Sequence, residues 1–211
     1  MRGALRRAVM RSDVLQDFSV EIEEDEMNYV YKFVPSPVGQ LQLIGSDKGL
    51  AAVLWENDNP RRVRVRSDVE DDSHPVLVEA ERQLNEYFAG ERESFSLKLD
   101  PIGTKFQNDV WQALLRIPFG ETRSYGQLAK ELGNARATRA VGAANGRNPI
   151  SIVVPCHRVI GSSGKLTGFA GGLETKAHLL QLENKGGAGS KPRRRNGGGP
   201  KQGPWTIPLT S

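Results

Sequence analysis

From Asn28 onward the chain alternates apolar and polar residues in NYVYKFV, turns at SPVGQ, extends through LQLIG, turns again at SDKG and extends through LAAVLWE. Short runs of period two, punctuated by Gly, Pro and Asp, predict an antiparallel meander of about three strands. The next stretch, ENDNPRRVRVRSDVEDD, is polar and leaves room for one short strand at RVRV. The period then changes. In HPVLVEAERQLNEYFAG, Leu77, Ala80, Leu84 and Phe88 fall at helical spacing, with Pro75 suited to the first turn and Gly90 to the stop.

Beyond the connector SFSLKLDPIG, an apolar stripe of Phe106, Val110, Trp111 and Leu114 predicts a second helix. At that spacing Trp111 reads as core, not as a platform for stacking bases. RIPFGET makes a turn. Ser124 with Gln127 three residues later is a capping-box signature for the helix YGQLAKEL, which Gly133 can terminate. A further helix, ARATRAVGAAN, follows directly. Two short helices joined by a tight Gly-containing turn are the pattern of a helix-turn-helix, although many core helix pairs share it. On the second helix, Ala140, Ala143 and Ala144 are small enough to let its backbone come close to DNA.

The run ISIVV, Ile150 to Val154, predicts a buried strand. Pro155 would end it, setting Cys156 on a turn at its edge, where a sulfur can face a cleft. GSSGKLTG is a turn-rich loop, and LETKAHLLQLE has the period of a helix packing back on the core. The expected organisation is α+β: a flexible extension over 1–27, an antiparallel sheet with a helix over 28–100, a mostly helical domain over 101–184, and a basic Gly- and Pro-rich tail over 185–211. The tail, with RRR at 193–195, and the acidic block EIEEDE near the start are too polar to bury the surface that ordering requires. The opening MRGALRRAVMRS lacks the apolar core of a secretory signal and reads as an amphipathic extension, or as an upstream start ahead of Met27.

Composition narrows the function classes. At 211 residues the chain can bury a sizeable core, and no apolar run approaches the roughly 18 residues that span a bilayer. The net charge of +4 is unevenly spread, with the first hundred residues acidic and the remainder basic. A basic half that carries the candidate chemistry suits a polyanion such as nucleic acid, though solubility alone can favour such asymmetry. The single cysteine excludes an intrachain disulfide and a multi-thiolate zinc site, and suits a reducing compartment. His74, His157 and His178 lie far apart without metal-ligand spacing, so neither a metal nor a cofactor is expected. Glu79, Glu81 and Glu86 read as a solvated helix face, and the first half shows no catalytic constellation.

Taken alone, a free cysteine is most often a small core residue. Here, however, Cys156 precedes His157 and Arg158, and a cation or imidazole nearby lowers a thiol pKa from about 8.5 into the thiolate range. That makes Cys156 a candidate nucleophile.

The motifs PCHRV (155–159), NGRNP (145–149) and RAVG (139–142), with FQNDVWQALLRIPFGETRSYGQLA upstream and GFAGGLETKAHLLQLE downstream, occur in order over about 80 residues. Together they resemble the O6-alkylguanine-DNA alkyltransferases, of the compact bacterial type. The resemblance implies a ribonuclease H-like first domain and a winged helix-turn-helix-like second one. It implies direct, irreversible transfer of an alkyl group from O6-alkylguanine, with O4-alkylthymine as a further substrate, in double-stranded DNA. Cys156 would accept the group, His157 would relay the thiol proton through a water, and Glu183 would orient the imidazole. Tyr125 would donate its hydroxyl to the purine N3 and touch phosphate. Asn148 would brace the turn. The carbonyls of Cys156 and Val159 would accept the exocyclic amine, Phe169 would line the alkyl pocket, and the amide of Ala170 would face O6. Arg139 would fill the gap left by the flipped nucleotide, with Thr138, Ala140 and Ser162 also on DNA.

Phe169 departs from the family's usual tyrosine, so a hydroxyl bond from that position is in doubt. The structural zinc of some relatives is not expected. The resemblance further implies a cytoplasmic monomer with no obligate protein partner and no membrane. Two other functions compete. A lesion-binding module without chemistry is disfavoured by the retained cysteine, and a cysteine hydrolase would need only Cys, His and Glu.

Overall fold

The computed structural model describes residues 29–187, apart from position 64. The expected meander is present as β1 (Val30–Val34), β2 (Leu41–Ser46) and β3 (Gly49–Trp55), paired antiparallel. A two-residue strand, β4 (Val69–Glu70), adds to the free edge of β1 in parallel, giving the order β3-β2-β1-β4 and a mixed sheet where a purely antiparallel one was expected. Of the short strand that RVRV had room for, residues 62, 63 and 65 are described and none of them lies in a strand. Its alternation is real but serves another purpose, since Val63 and Val65 pack against Ile44, Ala51 and Ala52 on one face of the sheet.

The other face carries α1 (Pro75–Phe88), which starts with proline in its first turn and buries Leu77, Ala80, Leu84 and Tyr87. Fully burying a leucine such as Leu77 or Leu84 contributes about 1.5–3 kcal/mol relative to exposure. α2 (Lys105–Leu115) begins with a complete capping box from Thr104 and Gln107, and buries Val110, Trp111 and Leu114, whereas Phe106 stays exposed. Trp111 is a core residue: its indole donates to the Ala144 carbonyl at 2.9 Å.

β5 (Arg123–Ser124) leads into α3 (Tyr125–Glu131), where the expected Ser124–Gln127 capping box forms. Such a cap contributes about 1 kcal/mol. Gly133, at φ 80°, then reverses the chain. A 3-10 turn at Ala135–Ala137 precedes α4 (Thr138–Gly146). β6 (Val159–Ile160) pairs in parallel with β5, and α5 (Gly172–Gly187) closes the fold.

One continuous apolar cluster joins both halves of the chain, from Leu41, Leu43 and Val53 of the sheet to Leu114, Val141, Ile150 and Leu179. The sheet edge also reaches the later segment directly, for the Val53 amide donates to the Pro149 carbonyl at 2.9 Å. No helix among the described residues is long and apolar enough to cross a membrane. The readings of residues 1–27 and of the tail beyond 187 lie outside the described residues.

Candidate functional site

The buried strand expected at ISIVV does not form. Only Ile150 bridges to the sheet, through Val53, and the following residues run through consecutive turns. Asn148 explains why. Its buried amide donates to the Val154 carbonyl at 2.8 Å and its side-chain oxygen accepts from the Ile150 amide at 3.1 Å. These bonds curl the chain where a ladder would have extended it. Val154 N–H donates to the Ile150 carbonyl and Cys156 N–H to the Val154 carbonyl, at 2.9 and 2.8 Å. Ile152 takes φ 72°, a left-handed conformation costly for a β-branched residue. From the other half of the chain, the guanidinium of Arg62 donates to the Asn148 carbonyl while its other nitrogens grip Asp58.

Cys156 opens a 3-10 turn, Cys156–Arg158, and is only 5% exposed. Burial pushes its thiol pKa up, and a hydrogen bond with Asn148 and the charges of Arg62 and Lys176 only partly oppose that. The expected resting thiolate is thus overturned, because desolvation of the anion outweighs the cations near it. Arg158 plays a different part from the one expected of it. It turns away from the sulfur, bonds Glu183 through Nε and Nη2 at 2.9 Å each, and donates from Nη1 to the Ile117 carbonyl at 2.6 Å.

His157 is fully buried, with Nε2 2.7 Å from Oε1 of Glu183. Burial would raise the Glu183 carboxyl, but hydrogen bonds from His157 and Arg158 outweigh it and hold the pKa at about 2. An ionised carboxylate can only accept, so Nε2 carries the proton and Nδ1 presents a lone pair. That Nδ1 is buried and has no hydrogen-bond partner among the described residues. Burial also holds the imidazole pKa below its ordinary value, against the opposing pull of Glu183. The result is a neutral imidazole, one nitrogen anchored and the other able to receive a proton.

Tyr125 stands at the start of α3, half-buried, with Thr167 as its hydrogen-bond partner and Cys156 near enough to act on it electrostatically. Burial raises its pKa, so the hydroxyl stays protonated. Val159 follows the cysteine turn, and its carbonyl already accepts from the buried Lys176 Nζ at 2.6 Å, which also donates to the Thr167 carbonyl at 2.7 Å. The Cys156 carbonyl likewise accepts from the Val159 amide. Each carbonyl has a second lone pair for a ligand. Phe169 meets Trp55 edge-on at 5.5 Å and lies 6.5 Å from the His157 ring. Gly171 is needed here, since a Cβ would come within 2.7 Å of the Trp55 indole. Ala170 is exposed beside it.

On the outer side of α4, Thr138, Arg139, Ala140 and Ala143 are exposed, as is Ser162 in the following loop. Ala144 is not on that side: it is buried against Trp111, so its small size serves the core. The structure therefore brings Cys156, His157, Glu183, Asn148 and Tyr125 to one centre, and sets Arg139 with its neighbours on a separate exposed face. Sequence reasoning missed Arg62, Tyr87 and Lys176. Tyr87 of α1 donates its hydroxyl to Glu183 Oε1 at 2.9 Å. Its position at helical spacing next to Phe88 marks it only as core. Among the described residues no group of His, Cys, Asp and Glu could hold a metal ion.

Two family models match the chain. Residues 29–101 match the ribonuclease-like domain of 6-O-methylguanine DNA methyltransferase and residues 105–185 its DNA-binding domain. A methylated-DNA--protein-cysteine methyltransferase of Methanosarcina acetivorans is 52% identical over 72% of this chain and 97% of its own length. The Mycobacterium tuberculosis protein of the same name is 50% identical over 72% of this chain and 91% of its own. Among solved structures, the M. tuberculosis O6-methylguanine methyltransferase aligns with TM-score 0.67 at 48% identity, covering 74% of this chain and 93% of that one. The M. tuberculosis OGT in complex with DNA aligns with TM-score 0.68 at 47% identity, over 74% and 94%.

Proposed function

The chain belongs to the 6-O-methylguanine DNA methyltransferase family, and we propose that in this molecule Cys156 is the residue that takes the alkyl group. Its activity is that of a methylated-DNA--protein-cysteine methyltransferase, a DNA-binding protein acting in DNA repair. The observation that carries the assignment of Cys156 is the anchored, neutral imidazole beside it: His157 Nε2 bonded to Glu183, Nδ1 without a partner among the described residues.

A thiol whose pKa is raised by burial does not attack as a standing anion, so its proton must leave as transfer occurs. His157 Nδ1 receives that proton through a water. Glu183 keeps the tautomer and stabilises the imidazolium that forms, the logic of a Cys/His/carboxylate triad without a hydrolytic second step. The sulfur–carbon bond forms as the carbon–O6 bond breaks, and the electron pair returns to the purine. Tyr125, held protonated, donates to N3 so that the base need not depart as a full anion. The product is a thioether, which has no route back to a thiol, so each molecule acts once.

A base inside a duplex cannot reach the sulfur of a residue that is 5% exposed. The damaged nucleotide therefore swings out, at a cost of a few kcal/mol, and Arg139 enters the stack in its place. Thr138, Ala140 and Ser162 lie against the backbone. Asn148 braces the turn, the Cys156 and Val159 carbonyls take the exocyclic amine, Phe169 lines the alkyl pocket and the Ala170 amide meets O6. The substrate is O6-alkylguanine in double-stranded DNA, with O4-alkylthymine as a second. The protein works as a monomer in the cytoplasm, through a domain over 28–100 and a reacting domain over 101–184.

The test is incubation with DNA carrying radiolabelled O6-methylguanine. One label per protein, lost in Cys156→Ala while DNA binding persists, is the outcome expected. Label in the Cys156→Ala variant, or repeated turnover, refutes the assignment.

A further inference from the structure

Glu183 is the junction of four donors that come from three parts of the chain. His157 and Arg158 reach it from the cysteine turn, the Gly120 amide reaches Oε2 at 3.1 Å from the loop after α2, and Tyr87 reaches Oε1 at 2.9 Å from α1. Among the described residues, Tyr87 is the one donor to this carboxylate from the sheet-bearing half. Its ring is 1% exposed and is wedged by Phe88, Phe95 and Phe119 at centroid distances of 5.5, 5.4 and 6.3 Å. Such packing fixes the hydroxyl in place. Tyr87 and His157 share one acceptor atom, Oε1, while Arg158 spans both oxygens.

We infer that Tyr87 is a positioning residue for the transfer: its hydroxyl holds the Glu183 carboxylate in register with His157 and moderates how strongly that carboxylate grips the imidazole. The inference rests on the reading of Cys156 and His157 given above. Donors on one oxygen compete, so a bond from Tyr87, added to that from Arg158 Nη2, makes Oε1 a weaker acceptor for the imidazole proton. Remove the hydroxyl, and Oε1 draws harder on Nε2–H, which favours the imidazolium. Among the described residues, the other charges facing His157 are Arg158 and Lys176, both cations that oppose its protonation, and the change leaves them in place. Tyr87 itself stays a donor throughout, because burial, then the nearby Glu183 charge, push its pKa far above the ordinary 10.0.

Two variants move the coupling in opposite directions. Tyr87→Phe keeps the ring and deletes the donor. Replacing Tyr87 by 3-fluorotyrosine keeps the donor and strengthens it. In single-turnover transfer with saturating methylated duplex, the acid limb of the rate profile should shift upward by on the order of half a pH unit for Tyr87→Phe, and downward for the fluorinated residue. The proton resonance of His157 Nε2–H, read without DNA at neutral pH, should move downfield in the first and upfield in the second. If Tyr87→Phe does not fold, the fluorinated protein decides alone. Unchanged profiles and an unmoved imidazole proton, whatever happens to thermal stability, would overturn the inference. A wild type that takes up no methyl would count against the reading of Cys156, while the imidazole resonance still decides on Tyr87.

Discussion

The Nε2 atom of His157 stands 2.7 Å from Oε1 of Glu183 across 26 residues of sequence, and both side chains are sealed from solvent. A buried carboxylate this close to a neutral imidazole and a guanidinium is a charge that the fold can hold only while its donors stay in place.

Replacing Glu183 by Gln tests that dependence. The variant leaves the Arg158 guanidinium buried without a counter-ion, and breaking a buried pair in this way costs about 3–5 kcal/mol. The urea midpoint should fall accordingly, and methyl transfer should slow well beyond what the loss of folded protein explains. A midpoint within error of the wild type would contradict the reading of Glu183 as the electrostatic keystone.

Acid should destabilise the protein in two stages. The His157 pKa is lower in the fold than its ordinary 6.5, so below that pH the unfolded chain binds the proton and the folded one does not. Stability then rises with pH across the window beneath 6.5. Glu183, held at about 2 against an ordinary 4.5, repeats the sign lower down: its contribution is complete above 4.5 and is lost as pH falls toward 2. Urea denaturation at a series of pH values checks both windows. A stability that climbs on acidification below 6.5 would be the wrong sign.

Asn148→Ala removes the amide that closes the turn before the nucleophile. The buried Ile150 amide loses its acceptor, while the Val154 carbonyl keeps the Cys156 amide and loses its second donor. Leaving the one amide unsatisfied costs about 1–3 kcal/mol. The variant should be measurably less stable and should transfer methyl groups more slowly, and thermal denaturation alongside label uptake reads both.

Arg139→Ala should separate DNA handling from chemistry. The side chain is exposed, so the melting temperature should stay within about 0.5 kcal/mol equivalent of the wild type. Transfer from methylated duplex should drop by roughly tenfold or more, since the gap left by the flipped base is no longer filled. Transfer from the free modified base, which needs no flipping, should be unaffected. Equal loss on both substrates would remove Arg139 from the flipping step.

What could be read from the chain depended on how local its cause was. The meander, α1 and the Ser124–Gln127 capping box arise from neighbours two to four residues apart, and all are present. ISIVV misled because its β-branched residues meet every local criterion for a strand, while the side chain of Asn148 and a tether from Arg62 impose turns on it. RVRV misled for a related reason: its alternation buries Val65 and half-buries Val63 against a sheet face, with neither in a strand. The raised thiol pKa was not legible either. Adjacent His and Arg codes suggested activation, but Arg158 is committed to Glu183 and burial dominates at the sulfur. Tyr87 lies 96 residues from Glu183, and nothing in the pattern of α1 distinguishes its hydroxyl from an ordinary core position.

The central claim is that one sulfur accepts one alkyl group. Mass spectrometry of the intact protein after reaction with excess O6-methylguanine duplex, followed by peptide mapping, measures it directly. The account requires a single added methyl on the peptide containing Cys156 and no second round of transfer. A methyl mapped to any other residue, or DNA repaired in excess of the protein present, would contradict it.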